Sequence, residues 1–136
     1  IRIAHDEPLT LAQKDLSING HAIECRIYAE NPEKSFMPAP GHITEYEEPE
    51  GEGVRVDSGV QANWDITPYY DPMVAKISTH GDDREQARQR MIDALERYTI
   101  GGLTQNKAMH LDVLTTETFK QATYDTGWLE AHQKEK

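Results

Sequence analysis

The hydrophobic period of this chain changes once, at Gly81, and that change restricts its fold more than any other feature. Before Gly81, apolar residues recur at every second position. His21, Ile23, Cys25 and Ile27 alternate with Ala22, Glu24, Arg26 and Tyr28, the pattern of a strand with one buried face. Met73, Ala75 and Ile77 alternate with Val74, Lys76 and Ser78 and predict another strand. After Gly81, Ala87, Met91, Ala94, Leu95 and Tyr98 recur at helical spacing. Strands first and helices after argue for an α+β fold, an antiparallel sheet followed by packed helices.

Turn chemistry fills in the rest. Thr10 is a candidate N-cap for a short segment through Leu16, and Asn19-Gly20 signals a turn. Residues 31–41 carry Pro32, Pro38 and Pro40 and read as a loop, because proline lacks the ladder donor. Short strands are expected over Ile43–Tyr46 and Val54–Val56, around a turn holding Pro49, Gly51 and Gly53, with residues 57–68 rich in turns. Asp83 followed by Gln86 resembles a capping box opening the main helix, and Gly101-Gly102 supplies its stop. A second helix is expected near Asn106, using Met109, Val113 and Leu114. A shorter one is expected from Thr116 to Ala122, and a last turn capped by Thr126 carries Trp128 and Leu129. The 136 residues suit a single domain, 1–136.

A formal net charge of −10 disfavours nucleic acid as a partner, since binding would add phosphate repulsion. Arg84, Arg88, Arg90 and Arg97 are the one basic stretch, and read as a solvated helix face interleaved with acids. No stretch is long and apolar enough to span a bilayer, so no membrane partner is expected. The single cysteine, Cys25, allows no internal disulfide and sits on the buried face of its strand. It reads as a small hydrophobe in a reducing compartment. The chain opens Ile1-Arg2-Ile3 and looks cut from a longer polypeptide.

The residues do not outline a self-contained active site. Gly51-Glu52-Gly53 lacks the lysine and helix of a phosphate loop. The six histidines show no metal-ligand spacing, and no metal site is expected. Arg55 stands out: between Val54 and Val56 it points away from the buried face, beside Asp57. Its donor fork suits an anion or enolate. Periodicity alone favours a plain surface ion pair with Asp57.

Resemblance shifts that balance. Gly20-His21-Ala22-Ile23-Glu24-Cys25-Arg26-Ile27-Tyr28-Ala29-Glu30 resembles the opening of the biotin carboxylase C-terminal domain. Pro38-Ala39-Pro40-Gly41-His42-Ile43, Gly53-Val54-Arg55-Val56-Asp57-Ser58-Gly59, Pro68-Tyr69-Tyr70-Asp71-Pro72-Met73-Val74-Ala75-Lys76 and Ile100-Gly101-Gly102-Leu103-Thr104-Gln105-Asn106 follow in the family's order. Gly101 departs from relatives that carry a charge there. The resemblance implies the C-terminal part of an ATP-dependent ligase that uses bicarbonate to carboxylate biotin. ATP and Mg2+ would be bound by an upstream ATP-grasp domain absent from this chain.

By motif, Arg55 is implied to be catalytic and biotin-binding, stabilising the enolate oxygen of biotin. Glu24, Arg26, Asp71 and Lys76 are read as structural. Arg84 is implied as a subunit contact. The implied partners are the ATP-grasp domain, a biotinyl carrier domain, and other carboxylase subunits or a second copy. The compartment is expected to be cytoplasmic, or the mitochondrial matrix in a eukaryote. Val56-Asp57-Ser58-Gly59 and Asp125-Thr126-Gly127-Trp128 look more like acyl-CoA carboxylase α-subunits of propionyl-CoA or methylcrotonyl-CoA type. Two other readings stand beside this one: a non-catalytic interaction or dimerisation module of the same carboxylase, and an unrelated acidic binding domain.

Overall fold

The structure is a computed structural model and describes residues 1–134. Strands β1 (His21–Tyr28), β2 (Glu45–Glu47), β3 (Val54–Ser58) and β4 (Met73–Gly81) precede helix α1 (Arg84–Arg97). Strand β5 (Thr99–Gly101) and helices α2 (Lys107–Thr115), α3 (Glu117–Lys120) and α4 (Trp128–Lys134) follow. β4 lies at the centre of a three-stranded sheet with β1 and β3 antiparallel on either side. β2 pairs with β5 in a separate short ladder. The α+β architecture read from the hydrophobic period is that of the fold, except that the short strand β5 follows α1.

The core lies between the sheet and α1. Ile23, Cys25 and Ile27 of β1 and Ala75 and Ile77 of β4 face Ala87, Met91, Ala94, Leu95 and Tyr98, and Met91 is fully buried. Burial pushes the Cys25 thiol up to about 12, so it stays protonated and unreactive at neutral pH. β4 departs from strict alternation: Val74 and Ala75 are both buried, while Met73 is exposed. The register shifts between Ile27 and Tyr28, which places Tyr28 opposite Met73 and leaves Val74 as the extra residue of a bulge.

Other boundaries move for physical reasons. The segment expected from Thr10 to Leu16 forms only a 3-10 turn, Gln13–Asp15, with Ala12 at its N-cap. No face of it is buried, and so short a helix does not hold without packing. The expected strand Ile43–Tyr46 lies slightly later, at β2. Ile43 is buried just before it, exchanging backbone bonds with Trp64 and Asn63. The proline-rich loop contains a brief ladder, Glu30–Asn31 against Met37–Pro38.

Asp83 caps α1 by accepting the Gln86 N–H at 2.8 Å. The return bond goes to the Asp82 N–H, also at 2.8 Å, and not to Asp83 as a capping box would have it. Gly101-Gly102 do not stop α1. It ends at Tyr98, and Gly101 pairs with Glu45 in the β2/β5 ladder. Gly102, at φ +89°, runs so close to the His42 carbonyl that a Cβ would collide. Thr116 caps α3. At α4, Asp125 accepts the Gly127 and Trp128 N–H groups in the role expected of Thr126.

Only Arg97 among the arginines of α1 is exposed, and the helix does not present them as one solvated face. Arg88 is buried, clasped by Glu85 at 2.5 and 2.7 Å and donating to the Leu114 carbonyl at 2.9 Å. Arg90 donates to the His80 carbonyl and Arg97 to that of Glu50. The chain spends these cations as staples on its own carbonyls, where the helix period alone suggested only water.

Candidate functional site

The sheet face turned away from α1 carries the exposed charges. The strand registers order them in two rows: Glu24, Ser78 and Arg55 in one, Arg26, Lys76 and Asp57 in the next. Residues aligned in this way share a face. Arg55 stands on the edge strand β3 between half-buried Val54 and Val56, which turns its guanidinium outward. The expected pair with Asp57 forms, Nε at 3.1 Å and Nη2 at 2.8 Å from the same Oδ1. Even so, 75% of the Arg55 side chain remains exposed. The Arg55 hydrogen bond holds Asp57 below the ordinary carboxylate range, and the Asp57 bond raises Arg55 further.

Arg26 repeats the arrangement on β1, its Nε 3.0 Å from Glu24 Oε1, and the Glu24 bond raises its pKa. Both guanidiniums are therefore cationic at any working pH. The two differ in what lies behind them. The Arg26 carbonyl accepts from Asn106 Nδ2 at 3.2 Å and from His110 Nε2 at 2.9 Å, and Asn106 bridges to Tyr28 one residue on from Ile27. The α2 end thus clamps the free edge of β1 where Arg26 sits. Burial pushes the His110 imidazole below its usual value, keeping it neutral with Nε2 as donor. Sequence reading missed this clamp, because the partners lie about 80 residues apart and no local spacing links them.

Other candidates have local partners. Lys76 faces Asp57 across the ladder, and Asp71 shapes its turn by accepting the Met73 N–H at 2.8 Å. His42 bonds Asp65, His80 bonds the Asn19 carbonyl, and His21 meets Arg84. Arg84 donates to the Phe119 carbonyl at 2.7 Å and lies 4.7 Å from that ring's centroid, so its head is engaged within the chain. Among the described residues no group of His, Cys, Asp or Glu could hold a metal ion. No described helix is long and apolar enough to cross a membrane.

Fold and site define a small antiparallel α+β domain that presents fixed arginines on an open sheet face. Residues 24–131 match the family model of the biotin carboxylase C-terminal domain, and the chain belongs to that family. It is 47% identical over 131 residues to the human mitochondrial propionyl-CoA carboxylase alpha chain, covering 95% of this chain and 18% of that one. It is 46% identical over 132 residues to biotin carboxylase 1 of Bacillus subtilis, covering 97% of this chain and 29% of the relative. The biotin carboxylase domain of Hydrogenobacter thermophilus 2-oxoglutarate carboxylase superposes with a TM-score of 0.94 at 39% identity, over 97% of this chain and 29% of that one. The chain thus spans less than a third of the length of each.

Proposed function

We propose that this chain is the C-terminal part of the biotin carboxylase component of a biotin-dependent carboxylase, an ATP-dependent ligase, and that its open sheet face forms one wall of the reaction cleft. The observation that carries the reading is the pair of outward guanidiniums on one rigid face. Biotin, when bound, supplies the ureido nitrogen that takes the carboxyl group. An exposed guanidinium fits the ureido oxygen, because its donors are fixed before charge grows there. ATP and Mg2+ are assigned to the ATP-grasp domain upstream. The similar 2-oxoglutarate carboxylase domain was solved as a dimer with MgADP and bicarbonate.

The resemblance assigns the cleft arginine to Arg55. A second reading assigns it to Arg26, and one observation favours it: the Asn106–His110 clamp fixes the Arg26 backbone. The start of α1 is proposed as a subunit contact. With the Arg84 head turned onto Phe119, exposed Asp82, Asp83 and Glu85 would carry that contact. We take the carboxylase to be of propionyl-CoA or methylcrotonyl-CoA type, working with a biotinyl carrier domain in the cytoplasm or, in a eukaryote, the mitochondrial matrix.

The test is bicarbonate-dependent ATP turnover. The purified chain should show none, and the full-length protein should show it with free biotin. Turnover by the chain alone would overturn this division of labour.

A further inference from the structure

Arg26 and Arg55 are built alike, each two residues from a carboxylate on its own strand, yet they hold that carboxylate differently. Arg55 closes on Asp57 with two donors, Nε at 3.1 Å and Nη2 at 2.8 Å from the same oxygen. Arg26 gives Glu24 its Nε alone, at 3.0 Å. A guanidinium beside a carboxylate is drawn to meet it with two donors, so a second group must hold the end of the Arg26 fork off Glu24. Strand alternation names that group. Glu24, Arg26 and Tyr28 share one face of β1, with the acid on one side of Arg26 and the phenol on the other. The Arg26 pKa is raised first by the Glu24 bond and next by a side-chain bond to Tyr28. At Arg55, Asp57 alone raises it.

Tyr28 is itself held. Asn106 bonds both of its backbone groups, at 3.0 and 3.2 Å, and its side chain is half-buried where Glu24 and Arg26 are exposed. The register of β1 on β4 shifts at this residue, an irregularity of the kind that re-aims side chains beside sites. We propose that Tyr28 is a positioning residue for the carboxylation of biotin: its hydroxyl accepts from the Arg26 fork and keeps the remaining donors turned toward the ureido oxygen instead of folding back on Glu24. The proposal rests on the reading that Arg26 is the cleft arginine. A guanidinium carries enough N–H groups to serve Glu24, Tyr28 and a substrate oxygen together. It lowers a barrier only if its donors are aimed before the charge develops, so the phenol acts on the rate through Arg26 and not by touching substrate.

Biotin-dependent turnover and melting temperature of the full-length protein test it. Tyr28→Phe removes only the hydroxyl and should lower kcat about 10-fold, the worth of one charge-assisted hydrogen bond. The melting temperature and the KM for ATP should stay as they are. With Glu24→Gln also present, the carboxylate that captures the fork is gone, so adding Tyr28→Phe should then cost less than about 3-fold. A structural role for Tyr28 predicts no such dependence on Glu24. Turnover of Tyr28→Phe within about 2-fold of the unaltered protein, beside a loss on the order of 100-fold in Arg26→Ala, would overturn the brace and leave the Arg26 reading standing. A Tyr28→Phe loss that is equal in both Glu24 backgrounds, or that comes with a lowered melting temperature, would also overturn it. Turnover that survives Arg26→Ala would remove the reading and the brace together.

Discussion

Asn106 stands beside Tyr28 as a residue of a neighbouring strand would. Its Oδ1 accepts the Tyr28 N–H at 3.0 Å, and its own N–H donates to the Tyr28 carbonyl at 3.2 Å. Its Nδ2 continues the ladder to the Arg26 carbonyl. β1 is an edge strand, and Asn106, only 4% exposed, satisfies that edge with a side chain in place of a backbone. Asn106→Leu keeps the backbone bond but strands the Tyr28 N–H. It should cost about 1–3 kcal/mol for each buried group left unpaired. Asn106→Asp keeps the acceptor but buries a carboxylate against the Arg26 carbonyl, so it should destabilise as well. Urea denaturation of the two variants checks this, and equal midpoints for Asn106→Leu and the unaltered protein would contradict it.

The second prediction concerns the orientation of α1. Met91 is fully buried against the sheet, so Met91→Asp places an unpaired carboxyl in the core and should cost several kcal/mol, on the order of 3–5. Met91→Leu roughly conserves volume and should cost less than about 1.5 kcal/mol. Thermal melts of both variants measure the contrast, and a cooperatively folded Met91→Asp of unchanged stability would refute the packing.

Why was so much of this legible in the sequence? The buried faces of β1 and α1 follow from periodicity, because each repeats over several residues of one regular element. Asp83 was readable as a cap because capping is local. The bulge at Val74 was not, since it is fixed by the register of Tyr28 on Met73, a partner far along the chain. Arg88 was misread for the same reason: its place on α1 is local, but its burial is set by Glu85 together with the Leu114 carbonyl. At the candidate site the strand pattern turned Arg55 outward and paired it with Asp57. The clamp behind Arg26 could only come from tertiary structure.

The third prediction is a pH dependence at His110. Burial holds this imidazole below its usual value of 6.5, so the unfolded chain takes up a proton at a higher pH than the folded one. A group with a lowered histidine pKa contributes stability that is fully present above the unfolded value. That contribution is lost as pH falls through the folded one. The melting temperature should therefore decline as pH drops below about 6.5, and His110→Gln should flatten that part of the curve. Parallel curves for the two proteins between neutral and mildly acidic pH would show that His110 is not held neutral.

The last prediction separates the two arginines. Negative charge grows on the ureido oxygen as biotin loses its proton, and donors fixed in advance stabilise that charge more than they stabilise neutral biotin. In the full-length protein, replacing the arginine that faces this oxygen by alanine should slow biotin-dependent turnover on the order of 100-fold. Lysine at that position should restore little, because it keeps the charge but not the fork. The resemblance expects this of Arg55→Ala; the clamped backbone expects it of Arg26→Ala, and the clamp favours Arg26. Both readings expect little change in melting temperature, since each guanidinium is largely exposed with a neighbouring carboxylate as its partner. Asp57→Ala and Glu24→Ala show whether the rate depends on how each fork is held. If the arginines are only surface pairs, each carboxylate variant should match its arginine variant in a small stability change, with turnover intact. Turnover that survives in both Arg55→Ala and Arg26→Ala would remove the catalytic wall from this domain.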